Sequence, residues 1–217
     1  MLEEILQQLN AANARLVAVS KTKPEDEIMY LYQKGQRLFG ENRVQELVAK
    51  SEALPRDIEW QFIGHLQTNK VKYIAPFVAL IQSVDSFKVL KEINKQARRC
   101  DRIIDVLLQF KIAEEDTKYG FDLPTARKML EDPAFGQLKN IRITGVMGMA
   151  TFTDDQEQVR REFRQLRAIF ERLRDDYFTG QPAFREVSMG MSGDYQLALE
   201  EGSTMVRIGT LLFGARN

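Results

Sequence analysis

A lysine follows the first apolar run of the sequence, at a point where its amine could take part in chemistry. The run LVAV is followed directly by the polar segment SKTKP, residues 20–24. A lysine at a strand end commonly extends its ammonium into water. If Lys21 is instead partly desolvated and close to a cation such as Arg207, its ammonium is disfavoured and its amine becomes a nucleophile. The segment alone leaves both interpretations open.

Two motifs near the C-terminus, rich in glycine and hydroxyl groups, predict an anion site. SMGMSG, residues 188–193, contains Ser192 and precedes a predicted short helix, whose amides and dipole favour a phosphate. RIGT, residues 207–210, adds Gly209, which lets backbone amides approach an anion, and Thr210, whose hydroxyl can donate. Glycines that only form tight turns are the alternative interpretation.

A nucleophilic lysine combined with a phosphate site predicts a phosphorylated aldehyde as the ligand. Pyridoxal 5′-phosphate (PLP) is the common example, held as an internal aldimine on the lysine. A barrel aldolase that acts on a sugar phosphate would share both features, so this alternative stays open.

Short β-rich runs alternate along the whole chain with segments of helical spacing. The predicted strands are residues 15–20, 37–40, 60–64, 78–84, 103–112, 141–149, 184–190 and 205–214. Strict alternation predicts a parallel sheet, and eight units favour a single (β/α)8 barrel domain over residues 1–217, with an added N-terminal helix over residues 2–13 that covers its bottom. A doubly wound open sheet is the alternative, which the lack of a GxGxxG motif after the first strand disfavours.

Helix start signals precede three of the intervening segments. Pro24, Ser86, and Thr153 together with Asp154 are residue types that begin helices, and each stands before a run with apolar residues three and four apart.

The barrel prediction also sorts the polar residues, because the chemistry of such barrels lies at the C-terminal ends of the strands. Several polar and glycine residues follow or end predicted strands, the last three of them within the eighth. They are Lys21, Asn42, His65, Ser192, Arg207, Gly209 and Thr210. The prediction therefore gathers them at one end of the barrel.

Composition narrows the class of partner and the compartment. The 217 residues carry no formal net charge, so nothing indicates binding to nucleic acid or to an anionic membrane. Cys100 is the one cysteine and His65 the one histidine, which excludes an internal disulfide and makes a metal site unexpected. The N-terminus has no signal-peptide pattern, and no apolar run approaches the roughly 18 residues of a spanning helix. We expect a cytoplasmic protein with a small-molecule partner.

Seven motifs in order make the chain resemble the pyridoxal-phosphate homeostasis protein family over nearly its whole length. The motifs are AVSKTKP, FGENRVQE, FIGHLQTNK, SVDS, GVMGMAT, SMGMSGDYQLAL and GSTMVRIGTLLFG. The resemblance implies a fold similar to the N-terminal barrel of alanine racemase and PLP bound through Lys21.

The same resemblance implies further roles at the site. It places Arg207 at the pyridine nitrogen and Asn42 beside the ring, and it assigns the phosphate to Ser192, Gly209 and Thr210. At Gln61 and Lys111 the chain departs from the family pattern, and the resemblance assigns neither residue a role.

An arginine at the pyridine nitrogen predicts that the protein binds the cofactor without using it for efficient catalysis. Arginine leaves the ring a weaker electron sink than a carboxylate would. Alanine racemase also uses a tyrosine from a C-terminal domain of its partner subunit, whereas this chain stops at Asn217, so we expect no such domain.

We therefore predict a monomeric carrier that buffers PLP or delivers it to apo-enzymes, with no catalytic residues. A low-activity PLP-dependent amino acid racemase, or a barrel aldolase, is the alternative. For that alternative Tyr119, His65 and Lys111 are the candidate acid or base groups. An interaction protein with a vestigial cofactor site is a third possibility.

Overall fold

Eight parallel strands close into one barrel in chain order in the computed structural model, which describes residues 2–114 and 119–214. The strands are β1 (Arg15–Val19), β2 (Leu38–Glu41), β3 (Glu59–Phe62), β4 (Leu80–Val84), β5 (Ile104–Phe110), β6 (Ile141–Gly148), β7 (Glu186–Met191) and β8 (Met205–Ile208). The predicted (β/α)8 fold class is confirmed. The open-sheet alternative is wrong, because β1 pairs in parallel with β8 and closes the sheet.

A helix follows each strand of the described chain, and one more helix precedes β1. The helices are α1 (Leu2–Ala11), α2 (Glu25–Gln33), α3 (Val44–Ala53), α4 (Val71–Ile74), α5 (Phe87–Arg99), α6 (Leu123–Leu130), α7 (Gln156–Tyr177), α8 (Tyr195–Glu200) and α9 (Thr210–Phe213). No helix of this described part is long and apolar enough to cross a membrane.

Two of the three predicted helix starts are confirmed, and one is displaced. Pro24 directly precedes α2, and the Ser86 side chain accepts a hydrogen bond from the backbone of α5. For α7 the predicted start at Thr153 and Asp154 is too early. The cap is Asp155, because its carboxylate is the one that accepts a hydrogen bond from the Gln158 amide.

The sequence predicted that the N-terminal helix covers the bottom of the barrel, and this prediction is wrong. Ile5 and Leu9 of α1 pack in one buried cluster with Leu16 of β1 and with Val206 and Ile208 of β8. Leu16, Val206 and Ile208 alternate along their strands with residues that face the barrel interior, such as Val17 and Met205. Their side chains therefore face outward, and α1 lies on the outer wall beside α8 and α9. The physical reason is that the four-residue α9 is too short to cover the outer face of β8 and β1.

The eighth predicted strand is also too long, because it ends at Ile208 rather than at residue 214. The amides of Leu212 and Phe213 donate to the carbonyl of Gly209, which begins the helix α9. A short apolar run fits a strand and a buried helix equally well, so periodicity could not separate them. The other seven predicted strands overlap the observed ones and differ at their ends.

The barrel interior is apolar in its middle layer and polar above it. Val17, Leu80, Leu107, Met147 and Met205 come from five different strands and meet in one buried cluster, which is possible only inside the barrel. Because alternate residues of a strand share a face, the positions two residues further along β1 and β8 also turn inward, one layer closer to the C-terminal end. This alternation directs the next inward side chains towards one mouth of the barrel.

Candidate functional site

A cavity of about 840 Å³ opens at the C-terminal end of the strands. That volume lies within the range of small-molecule sites. Every site residue predicted from the sequence lines it, and His65 and Tyr119 line it as well. The predicted residues are Lys21, Asn42, Ser192, Arg207, Gly209 and Thr210. Lys111 is not among the described residues of its wall.

Lys21 stands on a tight corner between β1 and α2. Val17, Val19 and Lys21 are alternate residues, so the run of inward positions leads from the barrel core to the cavity. The Ser20 amide donates to the carbonyl of Gly40 at 3.1 Å, and the Lys23 amide donates back to the carbonyl of Ser20 at 3.0 Å. These backbone bonds fix where the chain leaves the barrel.

A buried charged group lies directly behind this corner, on the side away from the cavity. The Ser20 hydroxyl donates to Glu41 Oε1 at 2.6 Å. Lys50 Nζ, from α3, donates to the same oxygen at 2.7 Å and to the Ser20 carbonyl at 2.8 Å. Burial raises the pKa of Glu41, and the hydrogen bonds from Lys50 and Ser20 oppose that rise.

Arg207 brings a buried cation to the cavity from β8, the strand that pairs with β1. Its Nη1 donates to Ser188 Oγ at 2.6 Å, and its Nη2 donates to the Gly148 carbonyl at 2.9 Å. Burial lowers the pKa of Arg207 to about 10, and the charge of Asp194 acts in the other direction. The guanidinium is therefore still charged at neutral pH, although it donates to neutral groups.

A chain of neutral hydrogen bonds continues from Arg207 through the barrel interior. Ser188 Oγ donates to Gln82 Oε1 at 2.6 Å, and Gln82 Nε2 donates to Gln61 Oε1 at 2.6 Å. We call Arg207, Ser188, Gln82 and Gln61 the interior chain. Sequence reasoning included Ser188 in the SMGMSG anion-site motif, whereas the structure places it in the interior chain. It missed Gln82, although a glutamine in the middle of a buried apolar strand such as ALIQSV was a signal of this kind.

The predicted phosphate residues meet where the β7–α8 loop approaches the end of β8. The Gly209 amide donates to Ser192 Oγ at 3.3 Å. A Cβ atom at Gly209 would lie 3.2 Å from the Val19 carbonyl oxygen, so glycine allows this close approach. Thr210 is exposed at the start of α9. The carboxylate of Asp194 accepts from the Met191 amide at 2.6 Å, so that amide of the loop is already engaged.

Two further features of the cavity wall bear on which ligand it fits. Asn42 Oδ1 is buried and accepts no hydrogen bond within the described chain. His65 Nδ1 lies 3.0 Å from Asp85 Oδ2, and its ring stacks on Tyr119 with centroids 4.2 Å apart. A polar ligand that carries a donor would satisfy the amide oxygen, and a planar ligand would suit a wall that already presents aromatic rings.

Comparison with known proteins adds three likenesses. Residues 2–217 match the family model for the N-terminal domain of alanine racemase. A protein of Aquifex aeolicus named pyridoxal phosphate homeostasis protein is 42% identical over 204 residues, which cover 94% of this chain and 87% of that protein. The structure of PipY from Synechococcus elongatus with PLP bound superposes with a TM-score of 0.85 at 34% identity, and the match covers 99% of this chain and 100% of PipY.

A more distant likeness shows the fold alone. Alanine racemase of Clostridium difficile superposes with a TM-score of 0.76 at 13% identity, over 99% of this chain and 60% of the racemase.

Proposed function

The chain belongs to the pyridoxal phosphate homeostasis protein family, and on that premise we propose that it binds PLP covalently on Lys21 and buffers the cofactor or delivers it to apo-enzymes. The observation that carries the proposal is the meeting of Lys21 with the buried cation Arg207 and the predicted phosphate residues around one cavity. PipY, a relative of similar fold, has been solved with PLP bound.

The residues of the cavity fit the functional groups of PLP. When bound, PLP supplies an aldehyde that condenses with an amine and releases one water, and a ring that can act as an electron sink. Lys21 would supply the amine, and Asn42 would lie beside the ring. Ser192, Gly209 and Thr210 would hold the phosphate, the two hydroxyls as donors and Gly209 by allowing the close approach of the chain. The buried Asn42 oxygen, which accepts no bond from the described residues, supports a polar ligand at this place.

Arg207 supports a carrier rather than an efficient enzyme. With a pKa of about 10 the guanidinium keeps its proton at neutral pH, so it would present a donor to the pyridine nitrogen. A nitrogen that accepts this bond is not itself protonated, and the ring then withdraws electrons weakly. The relative from Aquifex aeolicus is named for homeostasis and not for a reaction.

The proposal includes the setting of the protein. PLP is the small-molecule partner, and apo-enzymes that need PLP are the macromolecular partners. We propose a monomer with one PLP-binding domain over residues 1–217. We also propose a cytoplasmic location, which the single, free Cys100 supports because a reducing compartment keeps thiols unpaired.

The test of the covalent site is direct. PLP is added to the purified protein, the visible absorbance is recorded, and the bond is reduced with borohydride before peptide mass spectrometry. We expect the label on the peptide that contains Lys21 and no label in Lys21→Ala. Lys23→Ala, two residues away, is the matched control and should keep the label on Lys21. If the visible absorbance band with PLP persists in Lys21→Ala, PLP is bound to another amine.

Delivery is tested by mixing the loaded protein with an apo-enzyme that needs PLP, in the presence of a trap for free PLP. Direct delivery restores activity despite the trap, whereas buffering through solution does not. Either result is compatible with homeostasis, and the comparison decides which form it takes.

The enzyme alternative keeps one supporting observation: His65 lines the same cavity as Lys21, and its Nδ1 contacts Asp85. A histidine whose Nδ1 is held by a carboxylate can act as a base at its other nitrogen. We expect no exchange of the α-hydrogen of L-alanine in deuterated water. Exchange that depends on both Lys21 and His65 would favour the racemase-like alternative.

A further inference from the structure

We propose that Glu41, Glu46 and Lys50 are positioning residues for Lys21, which hold both of its chain neighbours from behind and so fix where its amine enters the cavity. We call these three residues the corner network. The inference rests on the proposed function in one respect, that Lys21 is the amine that reacts with PLP.

The first contact of the corner network is with Ser20, the residue before Lys21. Glu41 Oε1 accepts from the Ser20 hydroxyl at 2.6 Å, and Lys50 Nζ donates to the Ser20 carbonyl at 2.8 Å. The side chain and the backbone of Ser20 are thus held by separate groups. Ser20 and Glu41 are fully buried, so water does not compete for these bonds.

The second contact is with Thr22, the residue after Lys21. The Thr22 amide donates to Glu46 Oε2 at 2.8 Å. Thr22 has a φ of 63°, a left-handed conformation that a β-branched residue adopts only at a cost in free energy. The bond to Glu46 therefore helps to keep the chain in a conformation that the local sequence does not favour.

Lys50 joins the two contacts into one unit. Its Nζ lies 2.7 Å from Glu41 Oε1 and 3.5 Å from Glu46 Oε2. One ammonium therefore links the carboxylate that holds Ser20 to the carboxylate that holds Thr22. These three charged side chains come from β2 and α3, which belong to the neighbouring βα unit.

The composition of the corner network indicates specificity of position rather than stability alone. Burying an ion pair costs desolvation, and well-packed apolar residues in its place often stabilise a fold equally well or better. Here Glu41 is buried and its Oε2 accepts no hydrogen bond within the described chain. Apolar packing could fill the same volume, but it could not direct a hydroxyl, a carbonyl and an amide on either side of one lysine.

Glu46 offers the cleanest test, because its side chain is only partly buried and its removal should leave the protein folded. Glu46→Ala removes the acceptor, Glu46→Gln keeps an amide oxygen in its place, and Glu52→Ala changes an exposed glutamate of the same helix as a matched control. Each protein is titrated with PLP and with pyridoxine 5′-phosphate, which has the same ring and phosphate but an alcohol instead of the aldehyde.

We expect Glu46→Ala to weaken PLP binding about tenfold, because Lys21 would then hold the binding-competent position in only about a tenth of the molecules. Its affinity for pyridoxine 5′-phosphate should not change, because that ligand forms no bond to Lys21. Glu46→Gln should recover most of the affinity for PLP, and Glu52→Ala should match the parent.

Other results overturn the proposal. If Glu46→Ala weakens both ligands equally, the corner network supports the cavity wall and does not position Lys21. If it weakens neither, the network has no effect on the site. A parent that binds both ligands equally would show that no covalent bond contributes, in which case the proposed role of Lys21 fails first.

Discussion

The fold pairs two buried cations, Lys50 and Arg207, with partners of opposite kinds. Lys50, outside the barrel, donates to the carboxylate of Glu41 at 2.7 Å, so its charge is neutralised locally. Arg207, inside the barrel, donates to a serine hydroxyl and a backbone carbonyl, both of them neutral. Arg207 lines the cavity, and Lys50 is not among the described residues of its wall.

The difference separates a charge that serves the scaffold from a charge that serves a ligand. In a close ion pair the two charges largely cancel, which leaves a weak field for a third group. A buried cation whose hydrogen-bond partners are neutral bears a desolvation cost that a suitable ligand in the cavity would offset. The comparison therefore predicts that removing Lys50 harms folding, whereas removing Arg207 harms binding.

The largest expected effect is the loss of stability in Lys50→Met. The variant leaves Glu41 buried without its counter-charge, which typically costs about 3–5 kcal/mol. Denaturant unfolding of the protein without PLP at neutral pH measures this loss. A loss below about 1 kcal/mol, the size of an exposed pair, would mean that the ion pair is not a scaffold element.

Arg207→Met should cost less stability than Lys50→Met, because it removes a desolvation cost together with the hydrogen bonds to Ser188 and to the Gly148 carbonyl. Burial lowers the pKa of Arg207 from 12.5 to about 10, because the buried charged form is unfavourable. The resulting loss of folding stability is present in full below about pH 10 and disappears as the pH rises from there towards 12.5. The shift corresponds to a desolvation cost of about 3 kcal/mol at most at neutral pH, and the loss of the two hydrogen bonds opposes the gain from removing it.

The same variant should lose affinity for PLP. Losing a hydrogen bond from a charged group weakens binding about 10- to 150-fold. Thermal unfolding without ligand and titration with PLP give the two quantities on the same samples. If Arg207→Met is less stable than the parent and binds PLP equally well, Arg207 supports the fold and does not hold the ligand.

A pair of serine variants sharpens the comparison within the barrel interior. Ser188→Ala leaves a donor of Arg207 and an acceptor of Gln82 buried without this partner, at a cost of about 1–3 kcal/mol. Ser83 is the matched control, because its hydroxyl is buried and makes no hydrogen bond in the described chain. Ser83→Ala should be close to neutral in denaturant unfolding. Equal costs for the two serines would show that the interior chain adds nothing beyond packing.

The smallest expected effect is a change of pH dependence in Glu41→Gln. Burial raises the pKa of Glu41 in the folded protein, so the folded state binds this proton more tightly than the unfolded state does. The resulting stabilisation is complete below the unfolded pKa and is lost as the pH rises through the folded pKa. The glutamine of Glu41→Gln does not titrate, so the stability of this variant should not show the decline with rising pH that comes from Glu41.

The measurement is a series of unfolding experiments on the parent and on Glu41→Gln from about pH 4 to about pH 7. The stability of the parent relative to the variant should fall across this range. Glu52→Gln, an exposed glutamate on α3, is the control and should run parallel to the parent. A difference that grows with pH would mean that the pKa of Glu41 is lowered in the folded protein.

Local patterns were sufficient for the parts of the molecule that depend on neighbouring residues. The alternation of β-rich and helical segments predicted eight strands and the closed barrel, and the ends of those strands predicted which residues meet at the cavity. The short apolar run after Gly209 was misassigned, because four residues carry too little periodicity to separate a strand from a helix. The position of α1 was misassigned because an amphipathic helix shows which face it buries but not against what.

The sequence by itself therefore determined the order of the elements, the fold class and the residues at the cavity, because each follows from short-range periodicity and from the known geometry of parallel barrels. Only the tertiary structure decided which polar groups meet inside. Lys50 reaches Ser20 across 30 residues of chain, and Ser188 reaches Gln82 across 106. Such bonds depend on strand register and on the rotation of each helix about its axis, and no local pattern fixes those two quantities.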